Sequence, residues 1–269
     1  MENLDPLDRK IMYELDLNAR ASASELAKKL RKSKETVNFR VNRLIERGII
    51  KGFYTVFNTS KLGWYYYKVY AKFKDIVPEK EKELFEHLKK QEHIAWLGEV
   101  EGHYDCIFLV MARQPRDMGQ FMVQFMGKYG EYVQEKEIHT VLVSHRLNQK
   151  FLYSGEERID THYSETLGQY ELDETEKKIV EVISSNARMP MIEIATKTGL
   201  DHKLVGYRIR KLEKDHIILA YVSSPNIERL GLQFTQVNIS LNSPTDKKAK
   251  VDFDIDENDL NGARPGDLV

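Results

Sequence analysis

The sequence predicts an α+β chain in which a three-helix unit with a β-wing occurs twice, the copies separated by a β-α-β-β-α-β domain. Three observations predict it: a gap-free internal repeat, helix-capping signals, and an alternation of strand-like and helix-like segments between the copies.

The repeat comes first. At a shift of 168 positions Leu4-Asp5 falls on Leu172-Asp173, Lys10-Ile11 on Lys178-Ile179, and Asn18-Ala19-Arg20 on Asn186-Ala187-Arg188. Glu25 and Ala27 meet Glu193 and Ala195. Val37, Arg40 and Leu44 meet Val205, Arg208 and Leu212, and Ile49-Ile50 meets Ile217-Ile218. Asn58 and Leu62-Gly63 meet Asn226 and Leu230-Gly231. No gap is needed over about 70 residues, so one unit was duplicated.

Within the first copy, Leu7, Ile11 and Leu15 have helical spacing, and Asn18-Ala19-Arg20 ends that helix. Ser22 and Glu25 form an S-x-x-E capping box that opens a second helix. Ser33 caps a third, and Gly48 stops it. "IIKGFYTVFN" is β-branched and aromatic, and is expected to be a short hairpin. Three short helices and a β-wing make a winged helix-turn-helix.

On the third helix, projected at about 100° per residue, Val37, Val41, Leu44 and Ile45 form the core side. Glu35, Phe39, Asn42 and Arg43 point away from it, with Lys34, Thr36 and Asn38 near the N-terminal end. An exposed aromatic suits a recognition helix, where it can meet a thymine methyl. The second copy places Tyr207 there, with His202, Lys203, Arg210 and Lys211 around it. Arg40 and Arg208 lie on the flank, where a phosphate contact or a salt link within the domain are both open. Lys28 to Lys51 carries nine basic and two acidic residues, a basic block in a chain of net charge −1. Lys197 to Lys214 carries six basic residues and has Gly206 inside the helix. The expectation is therefore that the first reader dominates affinity for double-stranded DNA.

Between the copies, "WYYYKVYAKFKDI" is a strand, "PEKEKELFEHLKKQ" a helix, and "IAWLGEVEG" and "YDCIFLVMAR" two strands. "PRDMGQFMVQFMGKYG" is a second helix and "VQEKEIHTVLVSHRL" one final strand. That order is ferredoxin-like. The expected domains are a winged helix at 1–60, the ferredoxin-like domain at 61–152 and a linker at 153–170. A second winged helix follows at 171–228, then one strand of a second sensor domain at 229–244, "LQFTQVNISL", and an irregular tail at 245–269. A truncation or frame change near Pro244, or donation of that strand to another chain, is the expected reason for the missing remainder.

The pieces "LD..D.KI...L..NAR.S..ELA" and "S.ETV..RV.RLIERGIIKGFY" resemble the Lrp/AsnC (leucine-responsive, feast/famine) family of prokaryotic transcription regulators. The resemblance implies that the middle domain senses a small molecule, an amino acid, and oligomerises. Gly102-His103-Tyr104-Asp105 resembles the G-x-Y-D turn beside the family's amino-acid pocket. Gly102, Tyr104, Asp105 and Thr140 are therefore the expected effector site. The family often has Thr before that Gly, where this chain has Glu101. A side branch with the same architecture decarboxylates sirohaem. It offers an enzymatic alternative, with His103, His139, His145 and Arg146 as candidates.

Other classes find little support. No P-loop, GxGxxG, GxSxG or HExxH motif occurs. His139 and His145, on one expected strand, are too far apart for a metal pair, and no metal or cofactor is expected. The single cysteine, Cys106, is expected in the core. The polar N-terminus and short apolar runs lead to a cytoplasmic expectation, with no membrane partner.

Overall fold

The computed structural model describes residues 4–146, 149, 151–153, 161–163 and 168–238. They divide into two compact units: residues up to 65 together with 141–233, and 66–140 together with those from 234.

The first unit holds both winged helices. The first copy comprises α1 (Pro6–Leu17), α2 (Ala23–Leu30), α3 (Lys34–Glu46) and β1 (Ile50–Phe57). The capping signals form as expected. Ser22 and Glu25 bond reciprocally, Ser33 accepts from the Thr36 N–H, and Gly48 turns with φ +64°. The second copy comprises α6 (Glu174–Ser184), α7 (Met191–Thr198), α8 (His202–Lys214) and β8 (Ile218–Pro225). Here Asp173 and Glu176 make the capping box at the start of α6.

The expected hairpin wing is absent. β1 is a single strand, and its partner is β8 of the other copy, antiparallel, from Ile50–Pro225 to Phe57–Ile218 with register shifts between Ile50 and Gly52 and between Val56 and Phe57. A lone strand leaves its N–H and C=O groups unpaired. Each copy therefore supplies the other's missing neighbour.

The contacts around this ladder are reciprocal. The Ala19 N–H donates to the Tyr221 carbonyl at 2.8 Å, and Ala187 to Phe53 at 3.0 Å. Asn58 donates to Ile217 at 2.8 Å, and Asn226 to Ile49 at 2.7 Å. The Arg20 guanidinium donates to the Ala187 carbonyl at 2.7 Å and lies over the Tyr221 ring. Arg188 donates to the Ala19 carbonyl at 2.5 Å and lies over the Phe53 ring. Lys61 reaches the Asp215 carbonyl and Arg229 the Arg47 carbonyl. Adding or subtracting 168 turns each contact into its mate, which is the signature of a two-fold axis. The repeated Asn-Ala-Arg triplet is thus a clasp between the copies. The cores interlock as well. Ala187 is buried with the first copy's Ile11, Leu15 and Leu44, while Phe57 packs on the second copy's cluster around Ile179 and Ile209.

Two further expectations are corrected in this unit. The linker at 153–170 contains a strand, β7 (Thr161–Tyr163), paired with β6 (Ser144–Arg146). The long final strand of the middle domain is also interrupted. It ends as β5 (Val133–Val141), and β6 belongs to the winged-helix unit, so His139 and His145 do not share a strand.

The second unit is built from β2 (Tyr65–Phe73), α4 (Pro78–Lys89), β3 (Ile94–Glu99), β4 (Cys106–Ala112), α5 (Pro115–Tyr129) and β5. The sheet order is β3-β4-β2-β5, which is the ferredoxin-like arrangement. Met118, Met122 and Phe125 of α5 are buried, with Phe108 of β4 against Phe125. Residues 232–238, expected to begin a sensor strand, carry no strand, and the expected tail at 245–269 lies outside the described residues. Phe234 nevertheless sits near Trp96, and Gln236 donates to the Tyr70 hydroxyl at 2.7 Å.

Two outcomes follow. Arg188→Ala is expected to lower unfolding free energy by about 1.5–3 kcal/mol, the usual worth of charge-assisted bonds; urea denaturation showing no loss would contradict the clasp. Cys106 is wholly buried, and burial pushes its thiol up to about 12. Iodoacetamide at about pH 8 should label it only after denaturant is added, because the thiolate is the nucleophile.

Candidate nucleic-acid interface

Val37, Val41 and Leu44 root α3 in the core, and Val205, Ile209 and Leu212 root α8. Ile45, expected inside, is 42% exposed. It lies one position beyond Leu44, and a 100° step carries it off the buried stripe. The opposite face is open to solvent in both helices. Phe39, with the Arg43 guanidinium over its ring at 5.9 Å, is 64% exposed and Tyr207 58%, which is unusual for large rings.

The expected DNA-contacting residues fall into two groups. Lys34, Glu35, Asn38, Phe39 and Asn42 of α3 are exposed, as are His202, Lys203, Tyr207 and Arg210 of α8. Thr36 is half-buried, its hydroxyl 2.9 Å from that of Ser33.

The other four are held by acids. Asp8 of α1 is wholly buried and accepts from Arg40 at 3.0 Å and Arg43 at 2.7 Å. Arg40 also pairs with Asp5. In the second copy Glu176 is equally buried and accepts from Lys211 at 2.8 Å, with Arg208 at 3.4 Å. Arg208 also pairs with Asp173 at 2.8 Å. Hydrogen bonds to Glu176 and to the Tyr170 hydroxyl push the Lys211 ammonium above the usual lysine value. Of the two readings open for Arg40 and Arg208, the salt link within the domain is the one formed.

Asp8 and Glu176 were not singled out from the sequence, although the shift of 168 places an acid at both positions. Each ties its recognition helix to the first helix of its own copy. These pairs also change the charge balance. α3 keeps Lys34 exposed beside Glu35, whereas α8 keeps Lys203, Arg210 and Lys214 exposed. The basis for expecting the first reader to dominate is thereby weakened.

In the ferredoxin-like unit, Gly102, Tyr104 and Asp105 do come together in the turn between β3 and β4. Gly102 has φ +142°, a conformation that favours glycine. The Asp105 carboxylate accepts from the Phe73 N–H at 2.7 Å and pairs with Lys72 at 3.4 Å, fixing the turn against β2. Tyr104 packs on Tyr70 at 5.1 Å, and Tyr70 on His139 at 5.2 Å. Burial and the Glu137 carboxylate push the Tyr104 hydroxyl up to about 12. Thr140 is exposed on β5, next to His139. Two concavities, of about 590 and 210 Å³, lie beside α7–α8 and at the Arg20–Arg188 clasp, and neither is lined by these residues.

Of the enzymatic candidates, His103 faces Glu135 at 3.4 Å and His139 faces Glu137 at 2.9 Å, both exposed. Arg146 is spent on buried Asp16, and with His145 it belongs to the other unit. No cluster of three or more metal-ligating side chains occurs among the described residues, and no described helix is long and apolar enough to cross a membrane.

Two exposed recognition helices on paired winged domains define a helix-turn-helix DNA-binding protein, and comparison with known proteins agrees. A family model described as "Winged helix-turn-helix DNA-binding" matches twice, over residues 4–51 and 172–218. The HTH-type transcriptional regulator LrpA of Pyrococcus horikoshii is 34% identical over 125 residues, 46% of this chain and 87% of its own. The regulator Ptr1 of Methanocaldococcus jannaschii is 34% identical over 121 residues, 45% of this chain and 80% of its own. The chain belongs to the Lrp/AsnC family of HTH-type transcriptional regulators. The crystal structure of the siroheme decarboxylase NirDL is similar with a TM-score of 0.54 at 13% identity, over 82% of this chain and 65% of that one. At that identity the likeness is one of fold.

Asp8→Ala leaves two guanidiniums without their buried partner and is expected to cost on the order of 3 kcal/mol. Thermal denaturation measures it, and a loss below about 0.5 kcal/mol would reduce the pair to a surface contact.

Proposed function

We propose that this regulator binds double-stranded DNA in a sequence-specific manner through α3 and α8, and that a small-molecule effector modulates that binding at the ferredoxin-like unit. The observation that carries the reading is the pair of exposed aromatics, Phe39 and Tyr207, at equivalent places on two helices whose opposite faces are core. A ring left in water is unfavourable, whereas the same ring against thymine methyl groups in the major groove is not. The N-terminal residues around each ring supply hydrogen bonds to base edges.

Gly102, Tyr104, Asp105 and Thr140 form the proposed effector site. By family resemblance the effector is an amino acid. Asp105, bonded to the Phe73 N–H and paired with Lys72, holds the turn, and the ring cluster of Tyr104, Tyr70 and His139 offers an aromatic wall beside it. Self-association would use the ferredoxin-like sheet, whose edge strand β5 is exposed along almost its whole length. The sirohaem-decarboxylating alternative has the fold likeness in its favour. Against it, Arg146 is engaged by Asp16, and His103 and His139 are each paired with a glutamate.

Fluorescence anisotropy with duplex DNA from upstream of the protein's own gene, against a shuffled duplex, tests the first reading. Six or more phosphate contacts imply a loss of at least ~10³-fold between ~50 and ~200 mM salt. Preference for the real sequence should survive at the higher salt. Lys34→Gln should weaken both duplexes alike and lower the salt slope by about 1. Equal and weak binding to both duplexes, with a Soret band appearing on addition of sirohaem, would favour the enzyme.

A further inference from the structure

The clasp makes one chain a pseudo-dimer of DNA readers, and the two readers are not the same. Positions related by the shift of 168 carry Glu35 and Lys203, and Asn42 and Arg210, on the exposed faces of α3 and α8, and where α3 exposes Asn38, α8 has the buried Gly206. Phe39 and Tyr207 are matched between them. Shared aromatics give both readers an interest in thymine, while the differing polar residues read different bases. Asn suits adenine, through its N6 and N7, and Arg suits guanine, through O6 and N7. Glu accepts from the cytosine amino group, where Lys would favour guanine.

Gly206 has a structural part in this. A Cβ there would lie 3.4 Å from the Arg210 guanidinium, so the guanidinium lies back along the helix over Gly206. That direction is toward the N-terminal end, where base edges are reached. In α3 the corresponding pair, Asn38 and Asn42, presents two amides one turn apart.

We propose that this protein reads a non-palindromic operator. It consists of two half-sites inverted about one centre, with adenine recognised by the α3 half and guanine by the α8 half. In an ordinary two-fold dimer, operator palindromy mirrors protein symmetry. Here the scaffold keeps the two-fold geometry through reciprocal backbone bonds, and the sequence differs between the two reading faces. The proposal rests on the DNA-binding reading above.

The test is selection of duplexes from a random pool by the full-length chain, with three proteins compared. The wild type should enrich two dissimilar inverted half-sites at fixed spacing. Replacing the guanine of the α8 half should weaken binding by about 5- to 150-fold. Glu35→Lys/Asn38→Gly/Asn42→Arg gives α3 the residues of α8 at these three positions, and should convert its half-site toward guanine, making the selected sequence more palindromic. Arg210→Gln should relax or change the α8 half and leave the other intact. It guards against poor folding of the triple variant. A palindrome or a lone half-site selected by the wild type would overturn the proposal while leaving specific DNA binding in place. So would variants that select the wild-type sequence. No enrichment of any sequence would overturn the DNA-binding reading itself, and this proposal with it.

Discussion

Everything in the winged-helix unit depends on one constraint: a single β-strand cannot remain unpaired beside a packed core. β1 and β8 each follow a recognition helix, and neither has a hairpin partner of its own. Pairing them satisfies the facing N–H and C=O groups of both strands and brings the two Asn-Ala-Arg corners face to face. Two arginines then hold carbonyls that no helix or strand satisfies. Once the ladder is set, the placement of α3 against α8 follows from it, because each helix runs straight into its strand through a turn, at Gly48 in one copy and His216 in the other.

The buried acids work one level down. Asp8 and Glu176 take up four of the cations that composition alone would assign to phosphate binding. Those cations, partly exposed, tie the recognition helix to the first helix of its copy. Within each copy the residues left exposed are the aromatic, its amide or basic neighbours, and the helix N-terminus. A basic segment in a sequence therefore overstates the charge available to a ligand whenever an acid lies within reach in the fold.

Much of this architecture was legible in the residues. The capping box at Ser22–Glu25 joins each side chain to the other residue's backbone N–H three positions away, so it is read from local sequence; the equivalent box at Asp173–Glu176 was found only in the structure. The exposure of Phe39 followed from helical period alone. The partner of β1 was hidden. "IIKGFYTVFN" has Gly52 near its start, which reads as a turn, but in the ladder that glycine sits at a register shift between Ile50 and Gly52. No local pattern says that a strand's neighbour lies about 168 residues away. The repeat itself held the clue, since equivalent strands flanked by equivalent corners suit mutual pairing. Arg40 and Arg43 were ambiguous for a similar reason. Their partner, Asp8, lies more than 30 residues distant on α1, and periodicity within α3 cannot reveal it.

The two copies form one cooperative unit within a single chain. Native-state hydrogen exchange on the full-length protein, at several protein concentrations, tests it most directly. The ladder amides of residues 50–57 and 218–225 should open together, with the same free energy, independent of concentration. Separate opening energies for the two strands would contradict the account, and so would protection that grows with concentration, which would mean that the strands pair between chains.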